Sequence, residues 1–242
     1  MTLAGVRVLV TRAVEDAPEL EELLRARRAD PLRMPCIAFE DGPDLSRIAE
    51  RIGNREADLI VVASPHAARR LVALCSRIDV PLAAVGTATA RELPGQVAVP
   101  RQGTGADALV RELRDRVAGQ RVLVPRAEGG NPALLDGLRA AGARVEALTL
   151  YRTVTARQAA PDVLRTLREG GVAAIAFASG SAARGFAELA GAPAAADSAV
   201  ACLGKQCADE AARAGIRVDA VADGGLMDLC DAVALAVRVR KG

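Results

Sequence analysis

The chain has 242 residues, of which 51% are hydrophobic and 26% are charged. This composition supports packed cores and excludes a disordered or low-complexity protein. Aromatic residues make up only 2% of the chain and the formal net charge is +2, which argues against stacking surfaces for single-stranded nucleic acid and against a strongly basic DNA-binding domain. The length predicts two medium-sized domains.

Apolar runs and helical spacing along the chain predict an alternation of strands and helices. The predicted strands are 6–11, 58–63, 81–85, 97–99, 121–125, 144–150, 172–178, 199–203 and 217–222. Apolar residues three to four positions apart predict helices over 16–28, 105–118 and 226–239. Short strands that alternate with amphipathic helices indicate an α/β fold with parallel sheets.

Cysteine spacing and the N-terminal sequence indicate the cellular compartment. The cysteines are odd in number and form no C-x-x-C pair; they are Cys36, Cys75, Cys202, Cys207 and Cys230. This pattern argues against a disulfide framework or a zinc site, so we expect reduced thiols and no metal. The first apolar run lacks the features of a signal peptide, and no stretch has the ~18–20 apolar residues of a membrane span. We expect a cytoplasmic protein.

Three motifs recur in the same order in the two halves of the chain. VLVTR at 8–12 returns as VLVPR at 122–126, and ASPHAAR at 63–69 returns as ASGSAAR at 178–184. VGTATA at 85–90 corresponds to the weaker match LGKQCA at 203–208. The repeat predicts two similar α/β units. Each motif follows a strand and begins a helix, where free backbone N–H groups can bind anions, so we expect all of them to face one cleft.

Two extended stretches bear on the division into domains. Residues 33–40 and 145–154 have β character and occupy matching places in the repeats. They could pair as a two-stranded connector, so that the chain leaves the first domain, builds the second and returns. A simple split near residue 120 is the alternative.

The ordered motifs, together with LTLYRT at 148–153, resemble those of the uroporphyrinogen-III synthase family. The resemblance covers essentially the whole chain. It implies two lobes joined by two connector strands at 34–38 and 150–155, with one lobe formed by 1–34 and 155–242 and the other by 38–150. It also implies a monomeric lyase without a cofactor, which closes hydroxymethylbilane into uroporphyrinogen III while inverting the last pyrrole ring. The expected partners are this polycarboxylate tetrapyrrole and, transiently, the preceding enzyme of the pathway, with no nucleic acid or membrane.

Tyr151 matches the tyrosine of the family and is the only tyrosine in the chain. The resemblance implies that its phenol hydrogen-bonds the departing hydroxyl of the substrate, which makes Tyr151 the candidate catalytic residue. A tyrosine on a strand also packs simply as an amphipathic side chain, and that alternative stays open.

The candidate substrate-binding residues lie in the recurring turns. They are Thr11, Arg12, Ser64, Pro65, His66, Gly86, Thr87, Thr89, Arg126, Ser179, Gly180, Ser181, Gly204 and Lys205. The hydroxyls could instead cap helices. Arg12 and Arg126 are candidate carboxylate clamps, or partners of Glu15 and Glu128. For His66, which follows Ser64 and Pro65, we favour an exposed helix-start histidine over a catalytic base.

The sequence departs from the family pattern in the second half of the chain. The turn at 204–208 lacks the hydroxyl-bearing residues that are typical there, and Gly180 stands where proline is usual. Lys205 could supply a cation in their place. These departures keep two alternatives open, a non-catalytic tetrapyrrole-binding or metabolite-binding regulator and a generic two-domain binding protein for phosphorylated or sugar ligands.

Overall fold

The computed structural model describes residues 2–241 and divides into two compact units. Unit 1 consists of Met1–Phe39 and Thr153–Gly242, and unit 2 consists of Glu40–Arg152. In chain order the elements are β1 (Arg7–Val10), α1 (Ala17–Ala26), β2 (Asp30–Arg33), β3 (Ile37–Asp41), α2 (Leu45–Gly53), β4 (Leu59–Val62), α3 (Pro65–Leu74), β5 (Leu82–Ala84), α4 (Thr87–Ala90), β6 (Val97–Ala98), α5 (Ala106–Leu113), β7 (Arg121–Ala127), α6 (Ala133–Ala140), β8 (Arg144–Thr155), α7 (Pro161–Arg168), β9 (Ala174–Phe177), α8 (Gly180–Ala190), a 3-10 turn (Ala192–Ala195), β10 (Ala199–Leu203), α9 (Gly204–Arg213), β11 (Ala220–Ala222) and α10 (Leu226–Lys241).

Unit 1 is built on a five-stranded sheet in the order β11-β10-β9-β1-β2, with parallel pairing throughout. Successive side chains of a strand point to opposite faces. Val8 of β1 therefore packs on one face in a cluster with Leu20 and Val233, whereas Leu9 packs on the other with Phe186. Helices cover both faces, which is why these strands are almost continuously apolar.

Unit 2 contains a six-stranded sheet in the order β3-β8-β7-β4-β5-β6. The pairs from β8 to β6 are parallel. Val61 and Val122 point to one face, where they pack with Leu109 of α5 and Leu138 of α6. Both sheets thus confirm the predicted α/β fold class with parallel strands.

The chain passes between the units within β3 and within β8, which are neighbouring strands. The Gly42 N–H donates to the carbonyl of Leu150, and the Ala156 N–H donates to that of Cys36. These bonds run in opposite order along the two strands, as in an antiparallel pair. Residue 120 lies inside unit 2. The domain limits at 34–38 and 150–155 stay a prediction.

The end of α5 and the presence of β2 differ from the sequence prediction for physical reasons. The helix expected over 105–118 ends at Leu113. The apolar residue Val117 is buried nevertheless, because it lies in the turn that leads into β7 and its N–H donates to the Leu113 carbonyl. The edge strand β2 was not predicted, since its sequence DPLR contains proline and lacks apolar alternation. Within residues 2–241, no helix combines the length and apolar character needed to cross a bilayer.

Candidate functional site

Unit 2 contains a pocket of about 270 Å³ at the carboxyl ends of its parallel strands. Ser64 follows β4, Val85 follows β5, and Arg126 lies at the end of β7; all three line the pocket. In open α/β sheets, ligands bind at this edge because the loops that follow the strands converge there. Of the predicted site residues, Ser64, Arg126 and Tyr151 line this pocket.

Three helices begin at the pocket. The Ser64 Oγ accepts a hydrogen bond from the Ala67 N–H at 3.1 Å and so caps α3. Asn131 Oδ1 accepts from the Ala133 N–H at 2.9 Å at the start of α6. Gly105, with φ +91°, precedes α5 and supplies no side-chain cap. The first turns of these helices present N–H groups and partial positive charge, which favours an anionic ligand.

Arg126 adds a cationic side chain to the same pocket. Among residues 2–241, no carboxylate lies within ion-pairing distance of its guanidinium, so the predicted alternative of a Glu128 partner is not observed. The guanidinium instead lies close to Gly130, where an added Cβ would be 2.6 Å from Nη2. A guanidinium that has no carboxylate partner within the protein can offer a planar pair of donors to a carboxylate of the ligand.

Tyr151 lies on β8, and its side chain is buried, with 7% of the residue surface exposed. β7 and β8 pair regularly up to Arg126 and Thr149, and the register then shifts so that Ala127 lies opposite Tyr151. The Glu128 N–H donates to the Tyr151 carbonyl at 2.8 Å and fixes the strand beyond the shift. Such irregularities re-aim side chains, and Tyr151 here lines the pocket.

Comparison with known proteins assigns the chain to a family. The family model described as "Uroporphyrinogen-III synthase HemD" matches residues 18–228. The chain belongs to the uroporphyrinogen-III synthase family. This confirms the resemblance that the sequence motifs indicated.

Individual members of the uroporphyrinogen-III synthase family agree with this assignment. The chain is 33% identical to uroporphyrinogen-III synthase of Synechococcus elongatus over 202 residues, which cover 77% of this chain and 75% of that protein. It is 27% identical to the chloroplastic uroporphyrinogen-III synthase of Oryza sativa subsp. japonica over 223 residues, which cover 87% and 73%.

Solved structures of the uroporphyrinogen-III synthase family have the same fold. The uroporphyrinogen-III synthetase of Helicobacter pylori superposes with a TM-score of 0.66 at 15% identity, covering 98% of this chain and 100% of that one. A mutant uroporphyrinogen III synthase of Thermus thermophilus gives 0.56 at 20% identity, covering 97% and 100%. At these identities the likeness concerns the fold alone.

The other predicted residues of unit 2 surround the pocket without lining it. Pro65 and His66 begin α3. The expected exposure of His66 is wrong, because the residue is half-buried and its imidazole meets the Tyr151 ring edge-on, with ring centroids 4.6 Å apart. Gly86 precedes the short helix α4, which carries Thr87 and Thr89. Thr87 is exposed, whereas Thr89 is only 2% exposed.

The predicted residues of unit 1 occupy three turns at the carboxyl edge of its sheet. The buried Thr11 follows β1 and donates its hydroxyl to the Ala176 carbonyl at 2.8 Å, so this hydroxyl links two strands. Arg12 lies 3.4 Å from Glu19 and 3.8 Å from Asp16, which replace the expected Glu15 as its ionic partners. Both side chains are therefore engaged within unit 1.

The turn after β9 explains one departure from the family pattern. Ser179 Oγ caps α8 by accepting from the Ala182 N–H at 3.2 Å, and Ser181 Oγ accepts from Arg184. A Cβ at Gly180 would lie 2.6 Å from Cγ of Glu210. Glycine at this position therefore makes room for Glu210, which pairs with Arg184 at 2.6 Å.

The turn after β10 holds the last two predicted residues. Gly204 has φ +77°, a conformation that favours glycine. Lys205 is exposed and pairs with Asp209 at 2.6 Å, one helical turn further along α9. The lysine that could replace the missing hydroxyls thus has an exposed intramolecular partner, which a substrate carboxylate would have to displace.

Sequence reasoning missed three residues of the unit 2 site. Gly130 and Asn131 form the turn between β7 and α6, and the pair Asn131–Pro132 is a recognisable helix-start signal. Arg70 lies over the Tyr151 ring. No local signal marks it, because 81 positions separate Arg70 from Tyr151 in the sequence.

Proposed function

We propose that this chain is an active lyase that closes hydroxymethylbilane into uroporphyrinogen III, with inversion of the last pyrrole ring and without a cofactor. The observation that carries this proposal is the family match over residues 18–228. The pocket of unit 2 supports it, because three helix starts and the guanidinium of Arg126 suit a ligand with several carboxylate arms.

In this proposal the protein contributes mainly position and weak acid catalysis. The N–H groups at the helix starts and Arg126 bind acetate and propionate arms, so that the flexible bilane is folded for ring closure. Tyr151 hydrogen-bonds the terminal hydroxyl as it departs. The resulting azafulvene is attacked by the substituted carbon of the last ring, and the spirocyclic intermediate opens and recloses.

The remaining predicted residues belong to the same proposal in different roles. The turns that contain Arg12, Ser179, Ser181 and Lys205 bind further carboxylates through backbone N–H groups and exposed side chains. Thr11 acts through the backbone of its turn and Thr89 through the backbone of α4, since both side chains are buried. We also propose that the chain is a cytoplasmic monomer whose domain limits lie at 34–38 and 150–155. We propose in addition that it makes a transient contact with the enzyme that supplies its substrate.

The test supplies hydroxymethylbilane to the purified chain and separates the uroporphyrin isomers after oxidation. Without enzyme the bilane closes to isomer I, so heat-denatured protein is the matched control. The proposal predicts isomer III as the main product. Isomer I alone would refute the proposed activity, and tight binding of uroporphyrinogen III with isomer I alone would indicate a non-catalytic binding protein.

A further inference from the structure

The Tyr151 ring is flanked by two side chains from the same helix, α3. The imidazole of His66 meets it edge-on at 4.6 Å and an interplanar angle of 63°. The guanidinium carbon of Arg70, one helical turn further on, lies 5.6 Å from the ring centroid. A guanidinium within about 6 Å of an aromatic face is attracted by the negative charge of that face. The ring is thus held by an aromatic contact and a cationic contact together.

Arg70 is itself fixed from two sides. Its Nε donates to His66 Nε2 at 3.0 Å, and its Nη1 donates to Asp41 Oδ1 at 2.7 Å. Because His66 Nε2 accepts this bond, the imidazole carries no proton on that nitrogen. The Arg70 side chain is 23% exposed, whereas the Asp41 side chain is 73% exposed. The planar guanidinium therefore has a defined orientation beside the phenol, with one anchor on its own helix and one at the end of β3.

A cation at this place would favour the proposed chemistry. As the substrate hydroxyl departs, the phenol O–H bond breaks and its proton passes to the hydroxyl oxygen. The carbon–oxygen bond breaks with its electron pair on oxygen, and water leaves. The proton of the pyrrole nitrogen then restores the phenol, so the substrate has lost one water and the enzyme is unchanged. Negative charge on the phenol oxygen exists only between these two proton transfers, and a fixed cation beside the ring stabilises that state more than the neutral one.

We propose that Arg70, oriented by His66 and Asp41, is a positioning residue for Tyr151 that aims the phenol into the pocket and stabilises the negative charge that develops on it. This inference rests on the proposed function, since it names how the acid of that reaction is held. Arg70 acts through Tyr151 and does not bind the carboxylate arms, so its loss affects the chemical step more than substrate binding.

The experiment compares Arg70→Gln with Arg69→Gln in the formation of isomer III. Arg69 is the adjacent residue, pairs with Glu92 at 3.1 Å and lies in none of the contacts to Tyr151 described above. We expect Arg70→Gln to lower kcat about 10-fold or more with KM changed by less than about 2-fold, and Arg69→Gln to leave both unchanged. Arg70→Lys keeps the charge without the planar fork, so it recovers part of kcat.

A double-mutant cycle separates positioning from a general structural role. If Arg70 acts through the phenol hydroxyl, Arg70→Gln causes no further loss of kcat in a Tyr151→Phe background. Equal losses in both backgrounds, or an unchanged kcat in Arg70→Gln, overturn the proposal. If Arg70→Gln does not fold, Asp41→Asn removes one anchor of the guanidinium and must lower kcat in the same direction, and an unchanged kcat in that variant overturns the proposal as well. Absence of isomer III with the wild-type chain refutes the proposed function itself, which distinguishes the two failures.

Discussion

The guanidinium of Arg126 occupies the space above Gly130 that any larger residue would fill. An added Cβ would stand 2.6 Å from Nη2 and 3.2 Å from Nε. The backbone of Gly130 does not have a positive φ, and the nearest backbone atom to an added Cβ would be the Ala127 carbonyl oxygen at 3.3 Å, so the clash is chiefly with the guanidinium. The absence of a side chain at Gly130 therefore leaves the space in which the Arg126 guanidinium lies.

Gly130→Ala should therefore displace Arg126 without unfolding unit 2, because the clashing atoms are the far end of a flexible side chain. We expect KM for hydroxymethylbilane to rise about 5- to 10-fold, the effect of weakening one charge-assisted hydrogen bond, and the unfolding midpoint to stay nearly constant. Arg126→Gln provides the comparison and should raise KM at least as much. A normal KM in both variants would remove Arg126 from the binding of the substrate.

Tyr151→Phe keeps the ring and removes the hydroxyl. Because the ring carries the contact with His66 and the cationic contact with Arg70, we expect an unchanged fold. Loss of the proposed acid should lower kcat by about 100-fold, the lower end of the usual contribution of a positioned acid. The measurement is isomer III formed per unit time under saturating substrate, with circular dichroism as the check on folding. Wild-type turnover in this variant would leave Tyr151 with a packing role only.

Gly185 of α8 lies against the backbone of unit 1. A Cβ at this position would be 2.1 Å from the carbonyl oxygen of Cys36, and a backbone carbonyl cannot move aside as a flexible side chain does. We expect Gly185→Ala to lower the free energy of unfolding by about 2–3 kcal/mol, as overpacking does. The matched control is Gly53→Ala on α2, where no atom beyond the neighbouring residues and the backbone of the helix would lie within 4 Å of the added Cβ. This variant should have an unchanged free energy of unfolding or be stabilised by up to about 1 kcal/mol. Equal urea midpoints for the two variants would contradict this packing.

Asp58, which precedes β4, carries a pH-dependent contribution to stability. Hydrogen bonds from the side chain and the backbone N–H of Arg121 lower the pKa of Asp58 from 3.8 to about 2. A carboxyl whose pKa is lower in the folded state stabilises the fold above its ordinary pKa and loses this contribution as the pH falls towards the folded value.

The difference in unfolding free energy between wild type and Asp58→Asn should therefore be largest above about pH 4 and should shrink as the pH falls to about 2. Urea titrations of both proteins between pH 2 and pH 7 measure it, with the range chosen to bracket the two pKa values. A difference that is constant across this range would show that the ion pair with Arg121 does not perturb Asp58.

The sequence predicts most strands because they are buried on both faces. VLV at 8–10 and LIVV at 59–62 are apolar throughout, and each lies between two neighbouring strands and away from the sheet edge. β2 lies at the edge of its sheet and is not predicted by an apolar run, because an edge strand buries less of its side-chain surface and tolerates Pro31. A continuous run of apolar residues is therefore enough to predict a strand that is buried on both faces.

The candidate site is predictable only where a turn carries its own signature. Ser64 and Ser179 stand at helix starts in matching motifs, and both cap their helices in the structure. Thr11 follows β1 and Thr89 lies in α4, but burial of their side chains depends on neighbours that are distant in sequence. The same holds for Arg70, which becomes part of the site only when β8 brings Tyr151 beside α3.

The central claim is that the pocket of unit 2, at the carboxyl ends of β4, β5 and β7, binds the tetrapyrrole. The most direct measurement follows the backbone amide signals of isotope-labelled protein by NMR as uroporphyrinogen III is added under anaerobic conditions. We predict the largest shifts at the helix starts that line the pocket, at Ala67, Ala106 and Asn131, together with Tyr151. Saturating binding that leaves these amides unchanged and shifts others instead would contradict the account.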